Sequence, residues 1–333
     1  MPSPMTLTRT RALLPGVMLA VTIAMAAQFL SANYGAPVML MAILLGMPLH
    51  FLSQDTRAAP GIDFAARGLL RLGVARLGLR VSLDMVQAIG WHFVVLVAGA
   101  IAVLILGSVA LMHRLGHERA FGLLTGGSVA ICGASAAMAI ASVLPQRRDA
   151  ERDLSFVVIS VTALSTLAMI LYPALARVLG LDMHQAGLFL GATIHDVAQV
   201  VGAGYSLSDE TGDTATVVKL IRVTLLAPVV LAAALVLRRS GPSGRGRPPL
   251  LPGFVLAFLV LAGLNSMHFV PAPVADAASA ASRAILVAAV AAVGVKTSLA
   301  RMAEVGPAAI ALLVGQTMIL AALILGPLLL GIV

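Results

Sequence analysis

Charge is what this chain has least of. Asp, Glu, Lys and Arg make up 11% of its 333 residues, hydrophobic residues make up 60%, and the mean hydropathy is +1.02. A water-soluble globule of this length needs far more polar surface to cover itself, so a soluble enzyme or binding module is excluded. The chain belongs in a bilayer. Cysteine is almost absent too, and the single Cys132 excludes an internal disulfide and a thiol-pair metal site. Acidic residues are outnumbered 14 to 22 by Lys and Arg, giving a net charge of +8. Because that surplus is scattered over separate loops, it excludes a nucleic-acid footprint and fits anionic lipid headgroups instead. Also missing are a P-loop, a G-x-S-x-G elbow and a dinucleotide fingerprint, and no His-x-x-x-His or Cys-pair spacing accompanies His195. An ATP-driven pump, a soluble-type enzyme and a zinc site therefore find no support, and no cofactor is implied.

What the chain does have is long apolar runs. A hydrocarbon core about 30 Å thick takes roughly 20 residues of helix. Eleven runs approach that length: Leu13–Leu30, Pro37–Leu52, Leu69–Ile89, Trp91–Met112, Phe121–Leu144, Leu154–Leu179, Ala186–Leu207, Thr214–Leu237, Gly253–Met267, Pro273–Leu299 and Pro307–Val333. None alternates polar with apolar as barrel strands do. The expected fold is all-α, a polytopic transmembrane helical bundle of about eleven membrane segments, with an amphipathic piece at Ile62–Arg67 lying at the interface. Residues 1–12 read as a cytoplasmic tail and 13–333 as a single transmembrane transporter domain, carrying a basic cytoplasmic linker at 238–252. Arg9 and Arg11 precede the first run, Arg57 and Arg67 follow the second, and Arg114 and Arg119 follow the fourth. The positive-inside rule places these ends, and the N-terminus, in the cytoplasm, and an odd number of crossings puts the C-terminus outside. With ten more runs behind it, the first reads as an uncleaved helix rather than a signal peptide.

The chain also repeats itself. "GLRVSLDMVQAIG" at Gly78–Gly90 matches "GVKTSLARMAEVG" at Gly294–Gly306 without a gap, pairing Arg80 with Lys296, Ser82 with Ser298 and Leu83 with Leu299. These copies close the third and tenth runs, an odd separation, so they point in opposite directions across a membrane. That is the mark of an inverted repeat, the design behind alternating access. A weaker match joins "GLLTGGSV" at Gly122–Val129 to "GLFLGATI" at Gly187–Ile194. Both continue into small polar clusters, where two broken or re-entrant helices are expected, each of which either crosses the membrane or enters and leaves on one side.

Within the second cluster, "GATIHDVAQVVGAG", an ionisable pair stands where charge is expensive: about 2.5 to 3.5 kcal/mol at mid-membrane on insertion scales. His195 and Asp196 are thus candidates for function, and proton coupling through them is chemically available. Lys219 and Arg222, three positions apart, share a helix face. Two cations against one buried acid leave a surplus that suits an anion, although a structural salt bridge to Asp196 competes for Arg222 and snorkelling for Lys219. The expected substrate site combines Thr125, Gly127, Ser128, Cys132, Gly133 and Ser135 with Thr193 and Gln199 and with Lys219 and Arg222, while His195 and Asp196 serve coupling. Small residues admit backbone amides, hydroxyls coordinate, and the cations balance charge.

"GATIHDVAQVVGAGY", "VVKLIRVTLLAPVV", "GGSVAICGASAAMA" and "RLGVARLGLRVSL" together resemble the YeiH-type family of bacterial inner-membrane proteins, to which sulfate export is ascribed. The resemblance runs from about Leu13 to Val333. It implies a multi-pass transporter of the bacterial cytoplasmic membrane and names sulfate or a related sulfur oxyanion as a candidate. The expectation is a secondary transporter exporting a small anion, with a proton or sodium ion for coupling, no nucleic-acid partner, and homo-oligomerisation left open. An intramembrane enzyme using His195 and Asp196 is the alternative, and an anion channel or sensor is the other.

Overall fold

Apolar runs this long have no use for exposed backbone polar groups, and the helix satisfies those groups within the segment. The computed structural model describes residues 4–34, 38–79, 87–116, 118–145, 150–237, 253–267, 269–297 and 307–332, and all regular structure among them is helical. In chain order the helices are α1 (Pro4–Tyr34), α2 (Val38–Gly46, extended by a 3₁₀ stretch Met47–Gln54), α3 (Ala59–Phe64), α4 (Leu70–Leu77), α5 (Trp91–Arg114), α6 (Arg119–Ala130), α7 (Ala134–Ala141) and α8 (Ala150–Val178). They continue with α9 (Met183–Thr193), α10 (Val197–Tyr205), α11 (Asp209–Thr224), α12 (Leu226–Leu237), α13 (Gly253–Ser266), α14 (Ala272–Lys296) and α15 (Pro307–Leu329). Five stretches among the described residues are long and apolar enough to span a bilayer: Ala12–Tyr34, Trp91–Arg114, Arg152–Val178, Asp209–Leu235 and Ala311–Leu329. The protein is a helical membrane protein.

Three expectations shift. A π-helical turn at Ala65–Leu69 joins α3 to α4, so the helix of the third run starts ten residues before Leu69 and absorbs the amphipathic piece at 62–67. The eighth run begins earlier, at Asp209, and is interrupted at Leu225, three residues before Pro228, whose missing N–H leaves a carbonyl one turn back without its helical donor. Helix α1 reaches back to Pro4, into what reads as a tail. Arg80, Ser82, Leu83, Ser298, Leu299 and Gly306 of the longer repeat, and the 238–252 linker, lie outside the described residues.

The chain divides into two compact units. One contains α1 to α4, residues 201–213, α13 and α14. Its helices meet through glycines, which let backbones approach where a side chain would hold them apart. A methyl group on Gly46 would come within 2.6 Å of the Ala291 carbonyl, and one on Gly294 within 2.5 Å of that of Ile43, so α2 and α14 cross in contact. Gly78 meets α13 at Phe258 in the same manner, and Ser282 on α14 donates to the Gly73 carbonyl of α4 at 2.7 Å. Two ion pairs, Lys296–Asp63 and Arg283–Asp209, stay largely in reach of solvent.

The second unit contains α5 to α9, residues 197–200 of α10, α11 from Thr214 onward, α12 and α15. Here Gly122 and Gly126 bring α6 against α5 at Ser108 and Val109. All the polar residues singled out in the two clusters fall in this unit.

Candidate functional site

Both polar clusters are helix breaks. Helix α6 ends at Ala130, Ile131 leaves helical geometry (φ −112°, ψ −82°), and Gly133 adopts φ 60°, ψ −126°, a conformation open to glycine and strained for any residue with a Cβ. The Gly133 N–H closes the turn on the Ser128 carbonyl at 2.8 Å. A methyl group on Gly127 would overlap the Ile140 side chain, so residues four before the turn and seven after it lie side by side. Helices α6 and α7 therefore form a hairpin rather than one crossing helix.

The second break lies between α9 and α10. Helix α9 ends at Thr193 and Ile194 is extended (φ −65°, ψ 136°). Gly191 packs on Ala215 and Val218, while Ile194 and His195 meet Lys219 and Arg222. Helix α11 thus packs on the last turn of α9 and reaches the break with two long cationic side chains. The tips of the two breaks touch: a Cβ on Gly133 would lie 3.5 Å from that of His195.

Lys219 and Arg222 tie the tips together. The Lys219 ammonium donates to the carbonyls of Ile131 (2.6 Å), Ile194 (3.0 Å) and His195 (2.5 Å). Arg222 donates through Nε to Ala130 (3.1 Å), through Nη1 to Gly191 (3.1 Å) and Ile194 (3.0 Å), and through Nη2 to Val129 (3.2 Å) and Ala130 (2.7 Å). Both side chains are fully buried. Three hydrogen bonds match the three donors of an ammonium, and five match those of a guanidinium. The N–H groups of both expected anion-binding cations are thus taken by backbone carbonyls. Their N–H groups cap the carbonyl ends of α6 and α9, which have no partners within their own helices.

The hydroxyls are similarly engaged. Thr125 donates to the Gly122 carbonyl, Ser128 to that of Leu124, and Thr193 to that of Phe189, each within its own helix. Their lone pairs stay available as acceptors, and Thr125 takes the Gln316 amide at 3.0 Å. His195 Nε2 lies 3.0 Å from the Thr317 hydroxyl, whose proton goes to the Leu313 carbonyl. The roles of Nε2 and of Nδ1, the other ring nitrogen, follow from which of them carries the ring proton. That Nδ1 and the Oε1 of Gln199 are buried without a hydrogen-bond partner, as is Oε1 of Gln316. The Asp196 N–H donates to Ser165 at 3.0 Å. Cys132 is buried within the first turn, and Ser135, exposed, opens α7.

Of the residues expected together, Cys132 and Gly133 form one tip, His195 and Asp196 the other, and Lys219 and Arg222 the tie between them. Gly127 serves the packing of the first hairpin, with Ile140 filling the space where its side chain would be. The reading missed Gln316 and Thr317, which reach the two breaks from α15, together with Ser108 and Ser165. "VGQTMIL" offers the same signal as the His-Asp pair, polar neighbours inside an apolar run. Lone serines offer none, since membrane helices carry them routinely.

The family model described as conserved hypothetical protein 698 matches residues 15–313. Among curated relatives, the UPF0324 membrane protein TauZ of Paracoccus pantotrophus is 56% identical over 311 residues, covering 92% of this chain and 92% of that protein. The UPF0324 membrane protein RB0971 of Rhizobium meliloti (strain 1021) is 55% identical over 314 residues, covering 93% and 91%. CT0845 of Chlorobaculum tepidum, another UPF0324 membrane protein, is 51% identical over 315 residues, covering 94% and 88%. No solved structure matches.

Proposed function

The chain belongs to the family described as conserved hypothetical protein 698, and we propose that it is a secondary transporter of the bacterial cytoplasmic membrane, its N-terminus inside, that exports a small anion by alternating access. The observation that carries this reading is the tie of Lys219 and Arg222 to the carbonyl ends of α6 and α9. Each helix end at the two tips carries about half an elementary charge, negative at the carbonyl ends of α6 and α9 and positive at the amide ends of α7 and α10. Those four ends cancel. Two cations then outweigh one ionised Asp196, leaving a surplus of about one positive charge, or about two when Asp196 is protonated. An anion answers that surplus, held by the first-turn amides of α7 and α10, with the unpartnered Gln199 Oε1 ready to accept from a protonated oxyanion or a water. Sulfate, a dianion, matches the protonated state of Asp196, which makes proton coupling the natural companion.

The repeat supports alternating access once its order is seen. The 78–90 stretch precedes 122–129, yet its partner at 294–306 follows 187–194, as a circularly permuted duplication would have it. One copy is α2, α4, α5, α6–α7 and α8; the other is α13, α14, α15, α9–α10 and α11–α12. Gly99 and Gly315 extend the longer match in register. Helix α4 packs on α13 while α14 packs on α2, the exchanged pairing that a two-fold relation produces. Taking the two hairpins as re-entrant leaves nine crossings within the eleven membrane segments. Every pair of counterparts is then antiparallel, and the hairpins enter from opposite faces.

The test is flux in proteoliposomes with radiolabelled sulfate, then sulfite, alkanesulfonates and chloride as competitors. Saturable counterflow is expected, lost in Gln199→Leu without loss of folding, and with a pH profile between about 5.5 and 8.5 that flattens in Asp196→Asn. Absence of movement for every anion defeats the transporter. Chemical conversion without vectorial movement favours the intramembrane enzyme, and non-saturating flux favours a channel.

A further inference from the structure

The surroundings of Lys219 are those of a bound cation. Its Nζ is held at 2.5–3.0 Å by three backbone carbonyl oxygens, from Ile131 on one hairpin tip and from Ile194 and His195 on the other. The side chain is fully buried and arrives from a third element, α11. Carbonyl ends of broken helices are where secondary transporters hold a free coupling cation. Three oxygens converging on one nitrogen reproduce that arrangement with the cation fixed to the chain. Arg222 accounts for the remaining carbonyls at Val129, Ala130 and Gly191 and shares that of Ile194.

We infer that the carbonyl oxygens of Ile131, Ile194 and His195 form a monovalent-cation site whose resident cation is the ammonium of Lys219. Two consequences follow. The native protein takes neither sodium nor potassium at this point, because the place is filled by a charge that cannot leave. Removing the side chain exposes a carbonyl cage sized for an ammonium or potassium ion, and Arg222 keeps the two tips joined around it. The cage stands independently of the transporter reading; only its bearing on which ion drives flux rests on that reading.

The experiment compares thermal unfolding of the purified, detergent-solubilised full chain, native and Lys219→Ala, in chloride salts of ammonium, potassium, sodium and N-methylglucamine at constant ionic strength. The native Tm is expected to be the same in all four. Lys219→Ala is expected to melt lower in N-methylglucamine and to recover part of the loss saturably in ammonium and potassium, as binding to the folded state alone requires. A Lys219→Ala Tm indifferent to all four salts overturns the inference, as does a variant that fails to fold in every one of them. The native protein supplies a measurement that does not depend on the variant: a native Tm that rises saturably with sodium or potassium overturns it too. Sulfate flux in liposomes with N-methylglucamine as sole added cation should match flux in sodium. Silence in that arm with the melting pattern intact defeats the transporter reading and leaves the cage standing.

Discussion

Two pairs of cations in this protein are stabilised by opposite means. Lys219 and Arg222 are buried at the helix breaks and donate only to backbone carbonyls in the hydrogen bonds that hold them. Lys296 and Arg283, both on α14 in the other unit, sit on the carboxylates of Asp63 and Asp209, with side chains 32% and 45% exposed. The difference lies in what compensates the charge. Helix ends are fixed dipoles that need no reorganisation, so they can hold a cation away from water provided that every donor finds a carbonyl. An exposed carboxylate screens its partner together with the solvent and contributes little to holding it in place. The breaks therefore exist as a unit with their cations, whereas the ion pairs of α14 are detachable.

Removing Arg222 should make the largest difference. Arg222→Gln leaves the carbonyls of Val129, Ala130 and Gly191 without the donors that now reach them, and each buried orphan costs about 1 to 3 kcal/mol. A combined loss of at least about 3 kcal/mol is expected, seen as a lowered Tm and poor recovery from detergent extraction. From the sequence, the same substitution is expected to weaken anion binding more than folding, whereas the five carbonyl hydrogen bonds of Arg222 predict a large loss in folding as well. An Arg222→Gln protein that melts like the native chain while losing anion binding would restore the sequence reading and dissolve the contrast between the two cation pairs.

The next effect tests whether the first tip is held by backbone conformation or by space. Gly133 has room for a methyl group, its nearest neighbours being 3.5 Å and 3.6 Å from where a Cβ would stand, yet its φ is 60°. Gly133→Ala should cost about 1 to 3 kcal/mol from strain alone. Gly99, inside α5 with nothing within 4 Å of its would-be Cβ, supplies the control: Gly99→Ala should be neutral or stabilising by up to about 1 kcal/mol. Equal Tm values for the two variants would show that the tip does not depend on its turn.

How much of this was legible beforehand follows from what sequence patterns can carry. Apolar runs announced helices because a bilayer imposes one length and one satisfied backbone. Glycine clusters beside charge announced the breaks at 131–133 and 194–196. What they could not announce was which acceptors Lys219 and Arg222 would choose, since carbonyls leave no mark in the sequence and Asp196 does. Direction was hidden for the same reason: hairpin and crossing helix have identical composition, and only Gly127 against Ile140 separates them. Thr317 was legible in principle, and its role is testable. Thr317→Val removes the hydrogen-bond partner of His195 Nε2 and should lower stability by about 1 kcal/mol or somewhat more. Thr317→Ser, which keeps the hydroxyl, should recover most of it, and a Val variant as stable as Ser would detach α15 from the site.

The smallest effect belongs to the exposed pairs, and it is the one that most sharpens the contrast. Lys296→Gln and Arg283→Gln each remove one partner of an ion pair, yet the carboxylate left behind, about half exposed in both cases, can turn to water. Exposed pairs contribute about 0 to 1 kcal/mol. Each variant should therefore melt within a few degrees of the native chain, and the small difference should shrink further between low and high salt, because the Debye length falls from about 30 Å at 0.01 M to about 3 Å at 1 M. Arg222→Gln should show no such shrinkage, because its lost partners are backbone dipoles out of reach of the ions. The decisive measurement is thus the salt dependence of Tm for the three variants side by side. If Lys296→Gln or Arg283→Gln destabilises as deeply as Arg222→Gln, and to the same extent at high salt, then α14 holds its cations as rigidly as α11 does, and the distinction between fixed and detachable charge does not describe this protein.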